Sequence, residues 1–235
     1  MRLRKLLRIL ATRALASVLF RYRVAASVEH TAALIGLGCN SVVDIGANRG
    51  QFSLLVRALF PQAEIIAFEP LPHPGAVYKA VFAADAAVTF YPVAIGPKSE
   101  LRTMHIAARD DSSSLFPIGQ GQSRVFPGTE EIDTISVQVM PLEEAVGEAS
   151  VESPALLKLD VQGFELEALR GCETILSRFD AIYCECSFIE MYEGQPLADE
   201  VIAWLKERNF RLVGIYNVFY DDGGAAVQGD VLFKR

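Results

Sequence analysis

Short, continuously apolar runs alternate along most of this chain with stretches whose apolar residues recur every three or four positions, the signatures of buried strands and amphipathic helices. Residues 41–45 form an apolar run that leads into a glycine-bearing turn. Residues 51–60 then have helical periodicity that stops at Pro61. A second run, 64–68, closes at Glu69-Pro70; a helix is predicted over 76–84 and a third strand over 88–95. There the alternation breaks. Residues 101–107 and 135–140 read as strands separated by a polar loop rich in Ser, Gly and Pro. A loop of that length in a compact domain is commonly functional or mobile, so residues 110–134 are expected to form a lid. Alternation resumes with a strand at 155–161, a helix at 165–178, a strand at 181–187 and a helix at 199–209. Two last strands, 211–220 and 227–234, are joined by Asp221-Asp222-Gly223-Gly224, a hairpin signal.

Strand–helix alternation with unbroken apolar strands predicts a mostly parallel sheet covered on both faces. The closing hairpin makes the last strand antiparallel. The expected fold is therefore α/β: a Rossmann-like, doubly wound, mostly parallel seven-stranded sheet with an antiparallel terminal strand inserted between its neighbours. A chain of 235 residues fits one such domain, over 41–235, behind a helical extension, over 1–40.

Charge divides the chain the same way. Residues 1–28 carry Arg2, Arg4, Lys5, Arg8, Arg13, Arg21 and Arg23 and no acid. Of the chain's 22 basic and 29 acidic side chains, the remainder keeps 15 basic and all 29 acidic. An acidic body lacks the basic footprint that phosphate binding needs, which argues against a nucleic-acid partner. Leu3, Leu6, Leu7, Leu10 and Ala14 recur at helical spacing among the arginines, giving a basic amphipathic helix, with another helix predicted over 28–37. The first helix either packs across the domain with solvated arginines or brings residues 1–24 against an anionic membrane. The apolar stretch between Arg13 and Arg21 is too short to span a bilayer, and Arg13 interrupts a signal-peptide core. Cys39, Cys172, Cys184 and Cys186 form no CxxC pair and have no histidine at ligand spacing. Free buried thiols in a cytoplasmic protein, peripheral at most to the inner membrane face, are expected.

The first strand ends in Val43-Asp44-Ile45-Gly46-Ala47-Asn48-Arg49-Gly50. Glycine after a parallel strand lets a backbone approach a ligand closely, and ligands of open α/β sheets bind where the strand order reverses. A dinucleotide fingerprint would have glycine at Asn48, so that pyrophosphate could come close. Asn48 there, with Asp44 opening the turn, suits a ligand without phosphate, such as S-adenosylmethionine. Asp44 would attract its ammonium group, while Gly46 and Gly50 give clearance and helix packing. Glu69 follows Asp44 by 25 residues at the end of the second strand, where a carboxylate accepts hydrogen bonds from ribose hydroxyls.

VVDIGANRGQF, IIAFEP, VTFYPVAIG, the serine run Asp111-Ser112-Ser113-Ser114-Leu115, LLKLDVQGFELEALRG and IYCEC together resemble the FkbM family of methyltransferases over about residues 41–187. Pro141-Leu142-Glu143-Glu144 and Gln162 depart from its usual pattern. The resemblance implies a class I methyltransferase fold, S-adenosylmethionine as methyl donor, and O-methylation of a small-molecule or glycan acceptor. By position, Asp44, Gly46, Ala47, Asn48 and Gly50 would line the methionine side. Glu69 and Pro70 would hold the ribose, Ala94 would lie near the adenine, and Ser113, within Ser112 to Ser114, would approach from the loop.

Asp160, ending the fourth strand, is the candidate base beside the transferring methyl, with Glu165 and Glu185 edging the same cleft. Glu165 also suits a plain first-turn acid favoured by the helix dipole. Asp160 and Glu185 could share a divalent cation through oxygen, although none is expected to be required. His30, His73 and His105 read as surface or packing residues, with His105 as the reserve base. The rival readings on this fold are an NAD-type oxidoreductase and a non-catalytic cofactor-binding protein.

Overall fold

A computed structural model describes residues 3–147 and 151–235; Arg2, counted above among the basic side chains, lies outside them. The chain begins with two helices, α1 (Leu3–Leu10) and α2 (Arg13–Tyr22). A 3-10 turn at Val28–His30 then runs into α3 (Thr31–Leu34). Next come β1 (Ser41–Ile45), α4 (Gln51–Leu59), β2 (Glu64–Phe68), α5 (Pro72–Val81), β3 (Val88–Tyr91) and β4 (Ala94–Ile95). The middle of the chain holds β5 (Glu100–Ala107), a 3-10 turn at Asp110–Ser112, α6 (Gln120–Val125), β6 (Glu131–Met140) and α7 (Leu142–Val146). It ends with β7 (Ala155–Leu159), α8 (Glu165–Gly171), a 3-10 helix at Glu173–Arg178, β8 (Ala181–Ser187), α9 (Ala198–Glu207), β9 (Arg211–Tyr220) and β10 (Ala226–Lys234).

Seven strands form one sheet in the order β3-β2-β1-β7-β8-β10-β9. All neighbours pair in parallel except β10, which runs antiparallel to both β8 and β9. This is the doubly wound sheet with an inserted terminal strand that the alternation predicts. The chain winds outward from β1 through β2 to β3, then restarts beside β1 at β7 and winds the other way. The reversal point lies between β1 and β7, and their carboxyl ends are Ile45 and Leu159.

Besides shifted element ends and the short helices α6 and α7, four elements differ from the sequence reading. The strand predicted over 88–95 is two. β3 pairs with β2, whereas Ala94 and Ile95 pair with β6 in a separate three-stranded sheet, β4-β6-β5. Pro92 stands at the break, and proline has no N–H to continue a ladder. The helix predicted over 165–178 stops at Gly171, where the backbone presses on Gly96: a Cβ there would lie 2.4 Å from the Gly96 carbonyl oxygen. The helix predicted over 28–37 is a 3-10 turn followed by one α-turn. The N-terminal helix breaks at Ala11-Thr12, which lets both Ile9 of α1 and Leu15 of α2 reach the core.

Each face of the large sheet is covered by its own apolar cluster. One joins Val43, Leu157, Ile182, Cys184 and Cys186 to α8 and α9. The other joins Val42, Leu156, Tyr183 and Leu232 to α4 and to Ile9, Leu15, Val24 and Leu34 of the N-terminal segment. All four cysteines are buried and free. At the carboxyl ends of the strands the second face becomes polar. Asp44 is in register with Lys158 across β1 and β7, and Glu185 with Asp230 across β8 and β10. Residues directly opposite on neighbouring strands share a face, so each pair of charges stands on one face, the second stepped two residues along because Lys158 is opposite Tyr183.

Candidate active site

One cavity of about 480 Å³ opens at the reversal point of the sheet, within the range of small-molecule sites. Its lining includes Gly46, Ala47, Asn48, Glu69, Pro70, Ala94 and Ser113 at one part, and Asp160, Glu185, Gln162 and Gln228 at another. Thus seven of the nine residues assigned to cofactor binding from sequence, and two of three assigned to catalysis, meet in one space.

Gly46 is the tightest point of the turn. Its φ is +77°, and a Cβ would lie 1.9 Å from the backbone oxygen of Asp160. The N–H groups of Gly46 and Ala47 both donate to the Phe68 carbonyl, at 3.0 and 2.9 Å, so the turn is fastened to the end of β2. That brings Glu69 beneath it. Glu69 Oε2 accepts from the Asn48 N–H at 2.9 Å and Oε1 from the Leu71 N–H at 2.8 Å. Burial raises its carboxyl from the ordinary 4.5 to about 7, with Asp110 adding to the rise; the two backbone donors and Lys158 oppose it.

Asp44 and Gly50 belong beneath the site, contrary to the expectation that they line it. Asp44 is fully buried; its Oδ2 accepts from Ser53 Oγ at 2.7 Å and its Oδ1 lies 3.1 Å from Lys158 Nζ. A carboxylate so placed holds the strand end together. Gly50, at φ +92°, precedes α4 where a Cβ would press on Phe82 and Tyr78.

Lys158 is the residue that the sequence reading missed. Its ammonium lies 2.9 Å from the Gly46 carbonyl, 3.4 Å from that of Ile45 and 3.8 Å from Asp160 Oδ2, and it lines the cavity. Burial lowers its pKa, but Asp44 and Asp160 outweigh that and hold it above the ordinary lysine value. The signal was there: lysine is almost never buried without a partner, yet it stands inside the apolar run Ala155–Leu159.

Gln162, in a left-handed conformation (φ 54°), bridges the two carboxylates: its Nε2 donates to Asp160 Oδ1 at 2.8 Å and to Glu185 Oε2 at 3.0 Å. Its Oε1 faces the Tyr192 hydroxyl at 2.8 Å, and Gln228 Nε2 donates to Glu185 Oε1 at 2.9 Å. Burial, followed by Asp160 and Asp230, pushes the Glu185 carboxyl well above its ordinary range. Glu165, grouped with these in the sequence reading, is elsewhere. It is buried, and its Oε1 accepts from the N–H groups of Val161 and Gly163, so it shapes the turn after β7 and does not edge the cavity.

The serine run is tied to the same turn. Ser114 Oγ donates to the Gln162 carbonyl at 2.6 Å, and Ser113 Oγ accepts from the Ala107 N–H at 3.1 Å. Arg49 forms a two-pronged ion pair with Asp110, joining the glycine turn to the segment predicted as a lid. His73 is exposed and His105 pairs with Glu131 at 2.9 Å, both outside the cavity wall. His30, read from sequence as a surface or packing residue, packs against Phe52 and Tyr183 and lines the cavity. Nothing in the sequence around His30 marks it, because the contact joins residue 30 to residues 183 and 230. Among the described residues no group of three His, Cys, Asp or Glu side chains could hold a metal ion.

Residues 44–212 match the model of the methyltransferase FkbM domain. The chain is 27% identical over 200 residues to the 2-O-methyltransferase NoeI of Sinorhizobium fredii, covering 83% of this chain and 79% of that protein. It is 28% identical over 206 residues to the 31-O-demethyl-FK506 methyltransferase FkbM of Streptomyces tacrolimicus, covering 73% of each. In fold it is similar to a Klebsiella pneumoniae crystal structure assigned as an O-methyltransferase, with a TM-score of 0.52 at 13% identity over 98% of this chain and 94% of that one.

Proposed function

The chain belongs to the family of the methyltransferase FkbM domain, and from that premise we propose that it transfers a methyl group from S-adenosylmethionine to a hydroxyl of a sugar, glycan or glycosylated metabolite. The observation that carries the reading is the convergence of the Gly46–Asn48 turn, the Glu69 carboxylate and Asp160 on one cavity at the sheet reversal. NoeI is a 2-O-methyltransferase by name and FkbM a 31-O-demethyl-FK506 methyltransferase, which supports hydroxyl as the acceptor.

The residues fit the donor. Gly46 lets the turn close against the Asp160 carbonyl, Asn48 and Pro70 line the same cavity, and Glu69 offers carboxylate oxygens to a ribose, with Ala94 and Ser113 along the same wall. S-adenosylmethionine supplies an activated methyl on a sulfonium, so the protein's task is alignment, desolvation and removal of the hydroxyl proton. Asp160, Glu185, Gln162 and Gln228 form a wall of carboxylates and amides suited to neutral hydroxyl groups. Free thiols suit a cytoplasmic setting. Leu3, Leu7, Leu10 and Phe20 are exposed on helices that carry Arg4, Arg8 and Arg13, a surface fitted to peripheral contact with anionic lipid. No helix among the described residues is long and apolar enough to cross a membrane.

Calorimetric titration with S-adenosylhomocysteine and, separately, NADH tests the donor. Binding of S-adenosylhomocysteine alone is expected; preference for NADH would overturn the reading. Binding should also depend on pH. Glu69 accepts ribose hydroxyls best as the anion, and its folded pKa of about 7 means that the anion forms as pH rises through neutrality. Affinity for S-adenosylhomocysteine is therefore expected to increase severalfold between about pH 6 and pH 8. Glu69→Gln should bind more weakly and lose this dependence; an unchanged slope in that variant would remove Glu69 from the ribose site.

A further inference from the structure

His30 lines the same cavity as Gly46 and Glu69, and its surroundings are those of an oriented imidazole. Its Nδ1 lies 3.2 Å from Asp230 Oδ2, 3.0 Å from the Tyr183 hydroxyl and 3.2 Å from Asn217 Nδ2. Asp230 also accepts from Asn217 Nδ2 at 2.7 Å, so the carboxylate is a hub fixed from β8, β9 and the 3-10 turn at once. Phe52 and Tyr183 meet the ring edge-on, with centroids 5.7 and 5.6 Å away. No described residue hydrogen-bonds Nε2. Glu29 of the same turn pairs with Lys5 at 2.7 Å, and Glu185 stands opposite Asp230 across β8 and β10.

We infer that His30 is the base that removes the acceptor's hydroxyl proton, with Asp230 as its positioning residue; this rests on the reading of the protein as an O-methyltransferase. Asp230 holds the proton of the neutral ring on Nδ1 and leaves Nε2 as the acceptor, the arrangement in which a carboxylate orients a catalytic histidine. As the acceptor oxygen forms its bond to the methyl carbon, the bond from that carbon to the sulfonium sulfur breaks. The electron pair stays on sulfur, giving a neutral thioether. The hydroxyl proton passes to His30 Nε2 and from there to water. Asp160 is the weaker choice for this proton. Its oxygens are already engaged, Oδ1 by Gln162 Nε2 at 2.8 Å and Oδ2 by Lys158 Nζ at 3.8 Å. Asp160 is left to orient the hydroxyl.

Two measurements test this together. Nitrogen-15 NMR of histidine-labelled protein, assigned with His30→Gln, reads the tautomer of His30 without any acceptor. The neutral ring is expected to carry its proton on Nδ1 and to lose that preference in Asp230→Asn. In parallel, release of S-adenosylhomocysteine is followed with the methyl glycosides of rhamnose, fucose and glucose. His30→Gln should lower the rate about 100-fold or more, while S-adenosylhomocysteine binds it as tightly as wild type; Asp230→Asn should shift the pH profile of turnover. A neutral ring protonated on Nε2, or a His30→Gln variant at the wild-type rate, overturns the proposal. If no glycoside is methylated, the glycan reading fails and the tautomer alone decides the dyad.

Discussion

Lys158→Met is expected to destabilise the fold by about 3–5 kcal/mol, the range measured when one partner of a buried ion pair is removed. Asp44 is fully buried, and its Oδ1 has no polar neighbour other than the Lys158 ammonium among the described residues. Methionine fills similar volume but leaves that carboxylate uncompensated. The same change frees the carbonyls of Ile45 and Gly46, which the ammonium holds at 3.4 and 2.9 Å. Binding of S-adenosylhomocysteine should therefore weaken as well as the fold. Urea denaturation and calorimetry read the two effects separately. The double variant Asp44→Asn with Lys158→Met should recover part of the stability, because neither position then holds a buried charge without its partner. A single variant within about 1 kcal/mol of wild type would show that water reaches this pair and that its coupling to the turn is slight.

Gly46→Ala should abolish measurable binding of S-adenosylhomocysteine. Two costs act together. A φ of +77° is disfavoured for any residue with a Cβ. The added carbon would also lie 1.9 Å from the Asp160 carbonyl oxygen, a backbone atom that cannot rotate away. Relief requires the ends of β1 and β7 to separate, and the Asp160 N–H donates to the Ile45 carbonyl at 3.2 Å between those same strands. A loss of stability of about 2 kcal/mol or more is expected alongside the loss of binding. Gly128, also at positive φ but with nothing within 4 Å of a Cβ, is the control. Gly128→Ala tests backbone strain alone and should leave binding intact. Equal affinity in Gly46→Ala and wild type would refute the close approach of the two strand ends.

The positions of the seven sheet strands and the glycine turn were legible because each depends on its own residues. Ser41–Ile45, Glu64–Phe68 and Ala181–Ser187 are mostly apolar runs, with Asp44 and Glu185 as their only internal charges, and all three are strands with those bounds. The turn after β9 forms where Asp221 and two glycines announce it: the Ala225 N–H donates to Asp221 Oδ1 at 2.8 Å. Pairing of Glu69 with the turn was also readable, since residues ending adjacent parallel strands must be neighbours. The split of 88–95 at Pro92 could have been read from the missing N–H.

Other assignments depended on partners distant in the chain. Whether Asp44 faces a ligand or a lysine is set by the register of β1 against β7, which brings residue 44 to residue 158. Glu165 looked like a cleft acid, but the turn after β7 folds its carboxylate back onto two N–H groups. His30 became part of the cavity through strands β8, β9 and β10, more than 150 residues away. The sequence by itself determined the alternation of elements, the glycine turn and the acid that ends the second strand, because hydrophobic period and turn chemistry act over a few residues. Only the tertiary structure decided which charges are buried as partners and which line the cavity, because that depends on strand register and on the low-dielectric face where distant side chains meet.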